Sequence, residues 1–192
     1  IPSRFGNECV DSDLDSVIKF DLDGNVVESF GGGLFIWPHG IDVGPDGGVW
    51  VTDAVSDNNI PDGDERGHLV YKFSQTGEVL LRLGTPGRLG SGRDSFNSPS
   101  AVVVAPNGDV FIADGHNNDG NNRVVKFTGD GQFIMSWGNT GYGPGEFRAL
   151  HAIDMDSRGR VFVGDRSNNR VQIFDQERNH QATRTQFGRP RG

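Results

Sequence analysis

Along this chain apolar and polar residues alternate in runs of about four to six, with Gly, Pro, Asn and Asp clustered between the runs. Alternation with period two is the pattern of a half-buried β-strand, and short turn clusters between such strands predict hairpins. Three stretches align without gaps: HGIDVGPDGGVWVTD from His39, SAVVVAPNGDVFIAD from Ser100 and HAIDMDSRGRVFVGD from His151. Each reads as a strand, a Pro-Asp-Gly, Pro-Asn-Gly or Ser-Arg-Gly turn, and a second strand ending in Asp. A third and a fourth strand follow each hairpin: LVYKF and VLLRLG, RVVKF and FIMSWG, RVQIF and ATRTQFG. Near the N-terminus SVIKF and VVESFG repeat the third and fourth strands with no hairpin before them. No helical period competes with this pattern.

The unit recurs after 61 and then 51 residues. Four short antiparallel strands at a period near that of WD40 and kelch repeats are the signature of β-propeller blades. The predicted fold is therefore all-β, one partial propeller domain of four-stranded antiparallel blades, of which the chain covers about three and a half. The expected layout is a half blade at 1–36, blades at 37–97, 98–148 and 149–188, and the run-in to a further blade at 189–192. A propeller closes with about four to eight blades. Closure is thus expected from further C-terminal blades or from a second copy in a homo-oligomer. The connection between second and third strands is long at 54–68 and 115–123 and short in the last repeat. Polar insertions at one repeat position gather on one face of a ring, where ligand contacts are expected.

Composition narrows the partners. The formal charge is −8, which argues against a nucleic acid, because phosphate binding needs a basic surface. Cys9 is the single cysteine, so no internal disulfide forms and the chain is no disulfide-stapled minidomain. No run approaches the roughly 18 consecutive apolar residues of a membrane span, and IPSRFGNECV lacks the features of a signal peptide. Compartment is left unknown by these residues.

Candidate chemistry centres on histidine. His39 and His151 share one repeat position two blades apart, with Ser100 between them. The first strand of a blade lines the central channel, so both imidazoles are expected at its mouth. With a third histidine they would form a zinc site with an open fourth position; the alternative is that each bonds a neighbouring loop. Asp53, Asp114 and Asp165 end the second strand in every blade and are assigned to the scaffold, accepting bonds from the following loop or from Arg123 and Arg170. Phe20, Phe73, Phe127 and Phe174 end successive third strands and are expected to pack between blades. His116 follows the scaffold Asp in one blade only; it reads either as an exposed loop residue or as a proton-transfer group. Arg4 stands alone near the N-terminus as a solvated charge. There is no P-loop, dinucleotide fingerprint, nucleophile elbow or paired-cysteine metal site.

The repeat cores FNSPSAVVVAPNGDVFIADGHNNDGNNRVVKFTGDGQF and GPGEFRALHAIDMDSRGRVFVGDRSNNRVQIFDQ resemble NHL repeats. Nearly the whole chain is similar to bacterial relatives of peptidyl-α-hydroxyglycine α-amidating lyase, a six-bladed NHL propeller. The resemblance implies cleavage of a peptide's C-terminal α-hydroxyglycine to the peptide amide and glyoxylate, with zinc held by three histidines from alternate blades. WPHGIDV and ALHAIDM match the first two ligand motifs, so it implies zinc at His39 and His151; the third histidine would follow Gly192. It makes Arg4 the match for an essential arginine and puts His116 where the family has its catalytic tyrosine, two groups about 3.5 pKa units apart. It implies a calcium bound partly by the backbone carbonyl of Ile41, and a secreted or periplasmic setting. The competing reading is a non-catalytic NHL propeller that binds or assembles a protein or ligand. A calcium-dependent lactonase of the gluconolactonase type needs Asp and Asn on the inner strands, where this chain has His and Ser.

Overall fold

The computed structural model describes residues 8–56, 59–186 and 188–190. Strands β1 (Val17–Phe20) and β2 (Val26–Phe30) form a two-stranded sheet. The first blade is β3 (Pro38–Val43), β4 (Val49–Asp53), β5 (Val70–Phe73) and β6 (Val79–Leu83). The second is β7 (Pro99–Val104), β8 (Val110–Asp114), β9 (Arg123–Phe127) and β10 (Phe133–Trp137). The third is β11 (Leu150–Met155), β12 (Val161–Asp165), β13 (Arg170–Phe174) and β14 (His180–Arg184). All pairings are antiparallel between sequence neighbours. This is the open, partial propeller of four-stranded blades that the repeat predicts. A 3₁₀ turn at Arg166–Asn168 interrupts the β pattern, and no helix is long and apolar enough to cross a membrane among the described residues.

Each inner hairpin turns through the same chemistry. The Gly47 amide bonds the Gly44 carbonyl, Gly108 bonds Ala105, and Gly159 bonds Asp156. The closing glycines have φ of 78°, 89° and 74°, a left-handed conformation that costs glycine little and other residues more.

The inner strands β3, β7 and β11 lie side by side, and the outer strands fan away from them. The apolar cores therefore lie between blades. Phe30, Phe35 and Tyr71 fill the space between the two-stranded sheet and the first blade. Trp50, Phe96 and Ile112 fill the next, and Phe111, Phe147 and Phe174 the third. Phe73, Phe127 and Phe174 are buried as expected, but Phe20 is 56% exposed. The expectation fails there because no described strand packs on that face of β1 and β2.

Polar residues lock blade to blade with equal regularity. Arg123 bonds Asp114 and gives its remaining donors to the carbonyls of Ser91, Gly92 and Ser95, which lead into β7. Arg170 does the same with Asp165 and the carbonyls of Tyr142, Gly143 and Glu146, which lead into β11. The first blade has Leu69 at that position, and Arg66 reaches Val10 and Phe35 carbonyls from the loop instead.

A second lock uses the left-handed residue before each third strand: His68, Asn122 and Asn169, with φ of 54°, 50° and 53°. Asn122 Oδ1 accepts the Ala149 amide at 2.8 Å, and His68 Nδ1 accepts the Ser98 amide at 3.0 Å, both at the entrance to the next blade. Asn tolerates this backbone region better than His. His68→Asn is therefore expected to leave stability unchanged or raise it, whereas His68→Ala strands a buried amide and costs about 1–3 kcal/mol. Urea denaturation of both variants checks this; equal losses would remove the lock from the account.

Candidate functional site

The residues singled out by the repeat sit where the inner strands break register. Pro38 pairs with Asp53 and Ile41 with Val51; Pro99 pairs with Asp114 and Ala101 with Ala113; Leu150 pairs with Asp165 and Ala152 with Gly164. Each shift leaves one extra residue on the inner strand, a β-bulge, which re-aims a side chain out of the regular alternation. His39, Ser100 and His151 stand at these bulges. The consequence is convergence: the His39 and His151 rings, two blades apart with Ser100 between them, have centroids 4.8 Å apart.

The long β8–β9 connection delivers a third imidazole to the same place. Backbone amides of Gly115 and His116 both donate to the Ser98 carbonyl, at 3.1 and 2.9 Å, which folds the loop inward. The His116 ring lies 4.8 Å from His39 and 4.9 Å from His151. Ligand atoms of the three histidines all fall within 4.8 Å of one another. Trp37 packs edge-on against His39 at 5.2 Å and His116 at 4.8 Å.

Hydrogen bonds fix which nitrogens carry protons. His39 Nδ1 lies 2.7 Å from the Ser100 carbonyl; a carbonyl only accepts, so Nδ1 holds the proton and Nε2 the lone pair. A side chain at Gly40 would meet Ala101 Cα at 2.6 Å and the Ser100 oxygen at 2.7 Å. Glycine there lets β3 come close enough to β7 for this bond. The Ser100 hydroxyl in turn donates to the Leu150 carbonyl at 2.9 Å, next to His151. His116 Nδ1 faces Asn117 Oδ1 at 3.3 Å and its Nε2 faces Arg166 Nη1 at 3.4 Å. Since a guanidinium only donates, His116 also keeps its lone pair on Nε2. Arg166 Nη2 anchors the contact on the His116 carbonyl at 2.6 Å.

Burial is the main force on these imidazoles. It holds His39 below the ordinary histidine range, the Ser100 bond opposing and Arg166 reinforcing the shift. His116 is pushed down to about 3 by burial first, then by His39 and Arg166. A folded-state pKa below the unfolded value means that only the unfolded chain takes up this proton between about pH 6.5 and 3, so stability falls as pH falls through that window. With a chelator present, wild type is expected to lose stability relative to His116→Gln by about 1.4 kcal/mol per pH unit below 6.5. Urea midpoints of the pair at pH 4.5 to 7 measure it, and a pH-independent difference would contradict the burial of His116.

The scaffold aspartates accept bonds as the repeat implies, Asp114 and Asp165 from Arg123 and Arg170, and they also take backbone amides from the segment ahead of the inner strand, which the repeat did not indicate. Asp53 accepts the Ile36 and Trp37 amides at 2.8 and 2.9 Å, Asp114 the Asn97 amide at 2.8 Å, and Asp165 the Arg148 amide at 2.7 Å. Each thereby fixes the chain just ahead of an inner strand. Ile41 lies two residues beyond His39 in β3; the adjacent Asp42 carboxylate accepts the Val104 amide at 2.7 Å. Arg4 lies outside the described residues.

Two features exceed the sequence reading. His116, read either as an exposed loop residue or as a proton-transfer group, is buried, against the first of these, and joins His39 and His151 in one cluster, so a third imidazole comes from within this chain. Arg166 was not singled out at all. Its signal was present: an arginine follows the scaffold aspartate in the last blade alone, GDRSNNR against TDAVS and ADGHN.

Comparison with known proteins agrees with the fold. The profile of the NHL repeat matches residues 35–59 and 147–174. The chain is 37% identical over 147 residues to NHL repeat-containing protein 3 of Homo sapiens, covering 73% of this chain and 40% of that protein. It is 33% identical over 153 residues to a probable peptidyl-alpha-hydroxyglycine alpha-amidating lyase of Caenorhabditis elegans, covering 78% and 40%. Against peptidyl-alpha-hydroxyglycine alpha-amidating lyase 1 of Drosophila melanogaster it is 36% identical over 163 residues, covering 79% and 27%. The chain thus spans well under half the length of these relatives. Among solved structures, a streptogramin B lyase superposes with a TM-score of 0.59 at 14% identity, covering 87% of this chain and 46% of that one. At that identity the likeness concerns the fold alone.

Proposed function

From an NHL-repeat β-propeller carrying this cluster, we propose a metal-dependent lyase of the amidating type, which releases a peptide amide and glyoxylate from a peptide ending in α-hydroxyglycine. The observation that carries the reading is the convergence of His39, His116 and His151, one from each complete blade, beside Arg166. The relatives bearing that activity in their names support it.

The donor set fits a metal. Three imidazoles with one position left over is the ligand pattern of catalytic zinc. The His39 tautomer leaves Nε2 as the donor, and at His116 a metal on Nε2 would replace the 3.4 Å contact with Arg166 Nη1 and so release that nitrogen toward a substrate. The Ser100 carbonyl on His39 Nδ1 is the outer partner such a ligand needs for a fixed orientation. We assign zinc, held by His39, His116 and His151. When bound, it supplies Lewis-acid polarisation of the substrate hydroxyl. His116 is then a ligand in place of the proton-transfer group read from sequence.

The chain's own residues do the rest. Arg166 presents a fork of donors that matches a carboxylate, and it orients the substrate's terminal carboxylate next to the cluster. The Trp37 ring against His39 and His116 keeps water from that side of the site. In the overall change the carbon–nitrogen bond breaks, its electrons stay with nitrogen, the hydroxyl proton ends on that nitrogen, and the carbon–oxygen bond becomes the aldehyde of glyoxylate. No oxidant or water is consumed.

Purified protein with zinc is expected to release glyoxylate from N-benzoyl-α-hydroxyglycine, to stop with chelator and to resume with zinc. Arg166→Gln is expected to raise KM at least about tenfold, the loss of one charge-assisted pair, with metal content unchanged. Metal bound at one per chain without glyoxylate would refute the lyase and leave the non-catalytic binding propeller.

A further inference from the structure

The face that carries the histidine cluster also carries a groove of about 530 Å³, lined by Ser56, Leu89, Asn97, Ser98, Asn117 and the Asn118–Gly120 turn. It is the largest of the cavities described on the chain. Three segments meet in it: the β4–β5 connection of the first blade, the link into β7, and the β8–β9 connection of the second blade. Its wall is continuous with the site. Asn117 follows His116 and touches its ring, the Ser98 carbonyl takes the His116 amide, and Asn117 Nδ2 donates to Ser56 Oγ at 2.7 Å.

The chemistry of the lining selects among ligands. Among the described residues no lysine or arginine reaches the groove, and Asp119 is the charged group in its lining; phosphates and free carboxylates are disfavoured there. Asn97, Asn117 and Asn118 bring side-chain amides to the lining, groups that pair a donor and an acceptor in one plane and so complement a peptide group; Asn117 turns its own toward Ser56 and His116. Leu89, 39% exposed, is the large apolar residue in the lining among the described residues. A chain held at its carboxyl end by Arg166 has this groove beside it, across His116 and Asn117.

We infer that the groove is a subsite for the backbone of the residues preceding the reacting terminus, so that the ligand is a peptide held by main-chain hydrogen bonds with little regard to side chains. This rests on the reading of the site as one for a peptide terminus. It adds where the rest of the peptide lies. Among side chains an acidic one is the exception, since it would face Asp119.

Unreactive probes separate this inference from catalysis. Acetyl-glycine and acetyl-Ala-Ala-Ala-Gly lack the hydroxyl, so binding to the zinc-loaded protein can be titrated calorimetrically without turnover. The longer probe is expected to bind about tenfold more tightly, the equivalent of one or two net hydrogen bonds. Ser56→Ala with Asn97→Ala, and separately Leu89→Arg, are expected to remove that increment while metal content and acetyl-glycine binding stay at wild-type values. An acetyl-Ala-Asp-Ala-Gly probe is expected to lose most of the increment. Equal affinity for short and long probes, or an increment untouched by both variants, would overturn the subsite. An increment that the variants abolish supports it whether or not glyoxylate is ever released, so failure of the lyase reading is seen separately.

Discussion

Replacing any one of His39, His116 and His151 with alanine is expected to reduce bound zinc from about one per chain to a small fraction, and glyoxylate release with it. Loss of an outer-shell partner typically lowers metal affinity about 10–100-fold, and loss of a direct ligand more. The measurement is metal content by mass spectrometry after dialysis, with urea denaturation in chelator showing that each variant folds. Ser100→Ala sets the scale from below: its backbone carbonyl still holds His39, but the hydroxyl tie to the Leu150 carbonyl is gone, so roughly a tenfold loss of affinity is expected. His116→Ala is the decisive variant. Zinc retained there but lost in the other two would return His116 to the proton-transfer role read from sequence. Zinc retained in all three would remove the metal centre.

The largest expected effect on stability lies in the scaffold. Asp114 is fully buried and accepts from the Asn97 amide, Asn121 Nδ2 and Arg123 Nε at 2.8, 2.7 and 2.8 Å. Burial raises its carboxyl to about 6 against the opposing pull of Arg123, so at pH 7 it is ionised and the pair stands. Asp114→Ala leaves the buried Arg123 charge and two further donors without their acceptor. A cost of about 3–5 kcal/mol follows, because breaking one side of a buried pair strands the other. Asp130→Ala, on an exposed turn, is the control at within about 0.5 kcal/mol. Urea midpoints at pH 7 decide it: a loss below about 1 kcal/mol for Asp114→Ala would mean that Arg123 finds another partner.

Much of this molecule was legible in the residues. A strand period of two, turn glycines and self-alignment were enough for the blades, because one-face burial permits one register per strand. The same alignment marked His39 and His151 as equivalent and the three aspartates as scaffold. Phe20 shows the limit: repeat position implies burial only where a neighbouring blade exists to supply it.

What the sequence determined by itself was therefore local: strand, turn and repeat, each encoded within about five residues and enforced by burying one face of a pleat. What only the tertiary structure decided was convergence. Three bulges aim His39, Ser100 and His151 off their sheets, Gly40 lets two inner strands approach, and a loop tied to the Ser98 carbonyl carries His116 across a blade to meet them. Arg166 reaches the same point from the third blade. The contacts join residues 35 to 112 positions apart in the chain, and no alternation, spacing or composition reports distances between blades. They are set by how the interblade cores and the arginine locks fix each sheet against the next, which is a property of packing.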